Sequence, residues 1–147
     1  MDWIRQHITY TDPPVAPADR AYQVVSLDEL EHRHKRQIYA ITTERDTVQG
    51  NHKAEGEKTI IVIRGAVKRF AMVNPENGRV ECEDDLGIGA VLHIPRETPF
   101  ALHIAGGSAL VIATAFWIKH CAYEDAQIMD EQGEILHQLA LPQTASV

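Results

Sequence analysis

Three histidines have neighbours that make chemistry possible. His52 follows Gly50-Asn51 and is succeeded by Lys53, Glu55 and Glu57. His93 and His103 each alternate with apolar residues, in Val91-Leu92-His93-Ile94 and Ala101-Leu102-His103-Ile104. An imidazole with a pKa of about 6.5 can take or give a proton at neutral pH, so each is a candidate acid or base. Alternation around His93 and His103 suits side chains that point into a barrel interior. An imidazole bonded to a backbone carbonyl would leave the same pattern, and a loop histidine in the polar company of His52 is exposed by default. Tyr39 lies in a β-rich run, as a packing residue or as a functional phenol. Lys58 and Arg64 bracket the apolar run 59–63, and Lys68, Arg69 and Arg96 are near in sequence. These cations could hold a phosphate; a solvated basic face is the competing explanation. The same two readings apply to His32-Arg33-His34-Lys35-Arg36. Cys82 sits between Glu81 and Glu83, whose charges disfavour a thiolate. Trp3 and Trp117 read as packing or dimer contacts.

The elements that must position these groups are short and mostly β. Residues 38–43, 59–63, 66–73, 79–83, 90–94, 100–104 and 109–116 are rich in β-formers. They are spaced by turn residues: Asn74-Pro75-Glu76-Asn77-Gly78, Gly87 and Gly89, and Gly106-Gly107-Ser108. Many short strands at roughly ten-residue intervals predict an all-β sandwich or barrel. Residues 50–57 read as a loop that presents His52. Residues 1–26 read as an N-terminal arm, with Pro13, Pro14 and Pro17 opposing regular structure and Trp3, Ile4, Ile8 and Tyr10 able to dock on a partner. Ser26 can cap a brief helix that begins with Asp28 and Glu29. Residues 27–125 form the domain proper. Ile128, Ile135, Leu136 and Leu139 could share the face of a short C-terminal helix within 126–147, although Gly133 weakens it.

Composition bounds the partners. The chain has 147 residues, one domain's worth, with a formal charge of −7. That balance excludes nucleic acid and anionic membrane as main partners. With 44 % apolar and 24 % charged residues, wholesale disorder is excluded too. Cys82 and Cys121 are too few for a disulfide framework or a zinc ribbon. No apolar run approaches the ~20 residues of a membrane helix, and the first six residues hold no apolar core of a secretory signal. The expectation is a cytoplasmic protein with reduced thiols.

Two stretches also carry a resemblance. Gly50-Asn51-His52-Lys53-Ala54-Glu55-Gly56-Glu57, followed by the run 59–63 and Gly65, and Gly89-Ala90-Val91-Leu92-His93-Ile94-Pro95, followed by Phe100, resemble the two motifs of the cupin superfamily. That resemblance implies a single double-stranded β-helix, or jelly roll. Metal-binding cupins use two His and a Glu of the first motif and a His of the second. Here His52 matches the first His, Glu57 lies one residue off, and Ala54 and Phe100 stand at the other two positions. Methyl and phenyl groups do not coordinate metals, so no metal site is expected. A metal-dependent enzyme with ligands displaced to His93 and His103 is an alternative.

A narrower resemblance adds Lys35-Arg36-Gln37-Ile38-Tyr39-Ala40-Ile41, Ala109-Leu110-Val111-Ile112-Ala113-Thr114 and Tyr123-Glu124-Asp125. In this order the series is similar to the nucleotide-sugar 3,4-ketoisomerases, metal-free cupins of deoxysugar and surface-polysaccharide biosynthesis. The resemblance implies a homodimer, no cofactor and a nucleotide-sugar ligand. It also implies proton transfer by histidine on a 4-keto-6-deoxyhexose. His52 would be the first His of the family pair, Tyr39 the strand tyrosine and Arg36 the arginine before it. With Ala54 in place of the second His, His103 is the expected substitute, and Lys58, Arg64 and His93 the expected substrate-binding groups. The alternative from another class is a cupin that binds a small molecule without catalysis.

Overall fold

The structure is a computed structural model that describes residues 3–13, 22–30, 36–118 and 123–136. Among the described residues, ten strands form two antiparallel five-stranded sheets. The first contains β1 (Ile8–Tyr10), β2 (Gln37–Thr42), β4 (Lys58–Arg64), β7 (Ala90–Ile94) and β9 (Ala109–Thr114), in the order β1-β7-β4-β9-β2. The second contains β3 (Thr47–Ala54), β5 (Val67–Val73), β6 (Val80–Leu86), β8 (Phe100–Ile104) and β10 (Tyr123–Asp125), in the order β10-β3-β8-β5-β6.

The two-residue period of a strand explains the core. Ile60, Val62, Ala90, Leu92, Ile94, Leu110 and Ile112 of the first sheet meet Val67, Phe70, Met72, Phe100, Leu102 and Ile104 of the second. The run 60–63 is apolar throughout, and Thr59 is buried too, because β4 is buried on both faces over most of its length. Ile61, pointing outward with Val91 and Ala113, lies under Leu30 and Val25. That cover includes the brief 3-10 turn Asp28–Leu30, where the Ser26 hydroxyl accepts the Asp28 N–H as expected of a cap. The hairpin at Asn74–Gly78 also forms, with Gly78 at φ 72.

Four expectations are corrected. Residues 3–10, read as part of an N-terminal arm, are packed onto the core. Ile4 is 3 % exposed, its N–H donates to Glu81, and β1 pairs with β7. Apolar Ile4 and Ile8 reach the interior before the prolines begin. Residues 47–54 are strand β3, not a loop; their polar face hid the alternation. Residues 126–136 are not helical. The Asp130 carboxylate takes the N–H groups of Gln132 and Glu134, and Met129 bridges Ile135. Such local side-chain bonding competes with a helix. Gly133, at φ 84, fits only as glycine, because a Cβ there would collide with the His103 ring. Residues 137–147 lie outside the described residues. The fourth correction concerns His93 and His103: both point outward, because their larger apolar neighbours take the interior.

Candidate functional site

A bulge in β3 decides where His52 points. From Thr47↔Ile104 to Gly50↔Ala101 the ladder with β8 is regular; the next pair is His52↔Phe100. Asn51 is the extra residue, at φ 60. Phe100 belongs to the central core, so the side chain opposite it also faces inward. An unbroken ladder would have placed Asn51 inside and His52 outside. Gly50 is required as well: its φ is 101, and a Cβ would stand 2.7 Å from the Phe100 carbonyl oxygen.

Inside, the His52 ring lies 5.2 Å from Phe100 and 4.4 Å from Tyr123, centre to centre. Strand β10 pairs Tyr123 with Ala54 and Asp125 with His52, which sets Asp125 beside the imidazole. Lys58, only 7 % exposed, comes from the first sheet. Its Nζ lies 5.0 Å from the Phe100 ring centre and 5.9 Å from that of Tyr123. Tyr39 packs against the core from β2.

The electrostatics follow from this crowding. Burial, then the Lys58 cation, lower the His52 pKa below its ordinary 6.5; Asp125 and a hydrogen bond with the Gly50 backbone oppose them. Burial, with Tyr123 adding, pushes Tyr39 up to about 12. The imidazole is therefore neutral at pH 7 and the phenol keeps its proton. Among the described residues, the buried Nε2 of His52 has no hydrogen-bond partner. A neutral proton acceptor beside a cation and a phenol donor can abstract a proton and stabilise the anion left behind.

The other expected residues lie elsewhere. Arg36 is exposed one residue before β2, at the rim of the end that holds Lys58. Arg64 is at the far end of β4 and donates to the Gly107 carbonyl. His93 is on the outer face of the first sheet, where its Nε2 meets the Thr9 hydroxyl at 3.2 Å. It lines a separate cleft of about 780 Å³ with His7, Glu57, Arg96 and Phe116. His103 is on the outer face of the second sheet, level with Arg69 and Val48 and beside Gly133. The structure thus brings together His52 and Lys58, sets Tyr39 near Tyr123, and leaves His93, His103 and Arg64 apart. The three imidazoles share no coordination sphere, which removes the geometry on which displaced metal ligands at His93 and His103 depended. Tyr123 and Asp125 were not expected in the site. Their i, i+2 spacing in a β context was the available signal. Cys82 is an exposed thiol, its pKa raised by desolvation, Asp84 and Glu83 against the pull of Arg69.

No family profile and no curated protein sequence matches the chain. Solved structures do. WlaRA, a TDP-fucose-3,4-ketoisomerase from Campylobacter jejuni, is 12 % identical, with 78 % of this chain and 86 % of that one aligned at a TM-score of 0.59. QdtA, a sugar 3,4-ketoisomerase from Thermoanaerobacterium thermosaccharolyticum solved with TDP, is 12 % identical over 75 % and 80 %, TM-score 0.55. A 3,4-ketoisomerase from Helicobacter canadensis is 18 % identical over 78 % and 87 %, TM-score 0.55. The likeness is one of fold: the chain is an all-β jelly roll like these structures.

Proposed function

We propose that this protein is a metal-independent isomerase of a 4-keto-6-deoxyhexose nucleotide. The observation that carries the reading is the buried, unmet Nε2 of His52 among Lys58, Tyr123 and Asp125, with Tyr39 near Tyr123. The proton at C3 of a 4-keto sugar is acidic because the adjacent carbonyl accepts the charge. His52 takes that proton, and Lys58 and Tyr39 stabilise the enediolate oxygen. The protonated His52 then returns a proton to C4 while the C3 hydroxyl proton passes to the C4 oxygen, so C3 becomes the ketone and C4 carries the hydroxyl. The fold likeness to sugar-nucleotide 3,4-ketoisomerases supports the substrate class. Arg36 at the rim is the cation best placed for the diphosphate. The test is deuterium incorporation at C4 of the product, with exchange at C3 of recovered substrate, from a TDP-4-keto-6-deoxyhexose in deuterated water. Uptake and ketone migration above a His52→Ala control support the reading; their absence sinks it.

One observation favours a second reading. Ala54, only 5 % exposed, puts a methyl group where the family pattern has its second His. A protein that binds the sugar nucleotide without turning it over would show a raised thermal midpoint with ligand and no isotope exchange. A cytoplasmic homodimer is part of the leading proposal. Tyr10 on edge strand β1 and Ile38 on edge strand β2 are exposed apolar candidates for the dimer contact. Sedimentation equilibrium checks it, and a concentration-independent monomer refutes it.

A further inference from the structure

We propose that Asn51 is a positioning residue for His52: it pins a β3 bulge from outside the sheet so that the imidazole stays turned inward. The bulge is in a left-handed conformation, which Asn tolerates better than most residues. Conformational tolerance alone would be served equally by glycine. What Asn adds is a clamp. Its Oδ1 accepts the N–H groups of Ile128 and Met129 at 2.9 and 3.0 Å, and its Nδ2 donates to the Met129 carbonyl at 2.9 Å. Its backbone carbonyl accepts the Ala126 N–H at 2.9 Å. Four bonds therefore hold residues 126–129 against the one residue that sets the phase of the strand.

The held segment is itself anchored. Ile128 and Met129 are buried against Ala71, Val73 and Ala101 on the outer face of the second sheet. The apolar cover on that face thus locks a bulge whose next residue points through to the interior. It also fixes β10, because Asp125 and Tyr123 immediately precede Ala126. Both faces of the strand are set by the same side chain. The groups that define the His52 environment are Lys58 on β4 and Tyr123 and Asp125 on β10, with Tyr39 on β2 near Tyr123. A slip at Asn51 changes its distance to all of them.

As a role in catalysis this rests on His52 being the base; as geometry it does not, and the two can be separated. The His52 ring is titrated by NMR in the full-length protein and in Asn51→Gly, Asn51→Asp and Met129→Ala variants. Asn51→Gly keeps the backbone conformation and loses the three side-chain bonds. Its His52 midpoint should rise toward the ordinary value, and kcat should fall about tenfold through misplacement, with KM changed less. Asn51→Asp keeps the two acceptor bonds and should restore part of both effects. Met129→Ala removes packing without removing the pin; it should lower the thermal midpoint and leave the His52 titration in place. An unchanged His52 titration in folded Asn51→Gly overturns the proposal, as does an equal shift in Met129→Ala. If the parent protein turns over no sugar nucleotide, the isomerase reading fails while the titrations still decide the positioning role.

Discussion

The two ends of the jelly roll treat polar groups in opposite ways. Lys58 and Arg64 bracket the same strand, about 20 Å apart at a strand's rise per residue. At the Arg64 end, side chains are spent on backbone. The Ser108 hydroxyl takes the Ala66 N–H and donates to the Ala66 carbonyl. The Thr43 hydroxyl takes the Ser108 N–H and donates to Ala105. Asp46 takes the Gly106 N–H and the Lys68 ammonium, and Arg64 itself donates to Gly107. At the Lys58 end, polar side chains face one another across aromatic rings, and a buried imidazole nitrogen is unmet. An unsatisfied buried polar atom costs about 1–3 kcal/mol. On the proposed function, the ligand-facing surface is the end that tolerates this.

The largest expected effect tests that assignment. His52→Ala should reduce turnover by about 10²- to 10⁴-fold, the usual contribution of a positioned base. The thermal midpoint should stay within a few degrees, since the lost ring leaves no partner unsatisfied at Nε2. Isotope exchange and a melting curve on the same preparation check both halves. Ser108→Ala should do the reverse. Ser108 is fully buried, and its loss strands the Ala66 N–H, while the Ala66 carbonyl keeps the Ala105 N–H. About 1–3 kcal/mol of stability should go, with turnover per folded molecule unchanged. Chemical denaturation and steady-state kinetics together would expose a mixed outcome, which breaks the contrast between the ends.

Much of the closed end was legible in the sequence. Gly106-Gly107-Ser108 announces its turn there, and strands at 90–94 and 100–104 stand where their alternation puts them; the equally legible hairpin Asn74-Pro75-Glu76-Asn77-Gly78 lies at the Phe100 end. The open end was only half legible. His52, Tyr39 and Lys58 were nameable, but their facing was not, because one inserted residue inverts the phase of β3. The same period of two misled at His93 and His103. Alternation says that a histidine is opposite in phase to its apolar neighbours; it does not say which set is inside, and the bulkier Leu92, Ile94, Leu102 and Ile104 won. Strand β10, three residues long and fully exposed on its own, has no apolar signature; only pairing with β3 reveals it.

A smaller effect concerns pH. The His52 pKa is depressed in the folded state, so below 6.5 the unfolded chain takes up a proton that the folded chain resists. Stability from this group is complete above 6.5 and is lost as pH falls through the window down to the folded pKa. Turnover per folded molecule should rise with pH through the same window and stay level to the alkaline side, since Tyr39 ionises only at about 12. Two substitutions give the sign separately. Lys58→Met removes a cation and should raise the His52 midpoint. Asp125→Asn removes an anion and should lower it. Movement of either in the wrong direction, read by NMR titration, would show that the imidazole does not face these groups.

The smallest expected effect is at Arg64, where the two ends of β4 can be compared directly. Arg64 is exposed, and its guanidinium makes one bond to a loop carbonyl. In water that carbonyl finds a solvent partner when the side chain is removed, so Arg64→Ala should change stability by about 0.5 kcal/mol or less. It should leave turnover and the His52 titration unmoved, because the charge is about 20 Å from the imidazole, beyond the ~8–10 Å over which salt lets exposed charges act. Lys58→Ala removes the same unit charge from the same strand, but from a buried site beside the ring, and should affect both measurements. The pair therefore separates position from charge. Equal losses in the two variants would mean that the diphosphate is reached from the Arg64 end, and the assignment of the open end as the working one would fall.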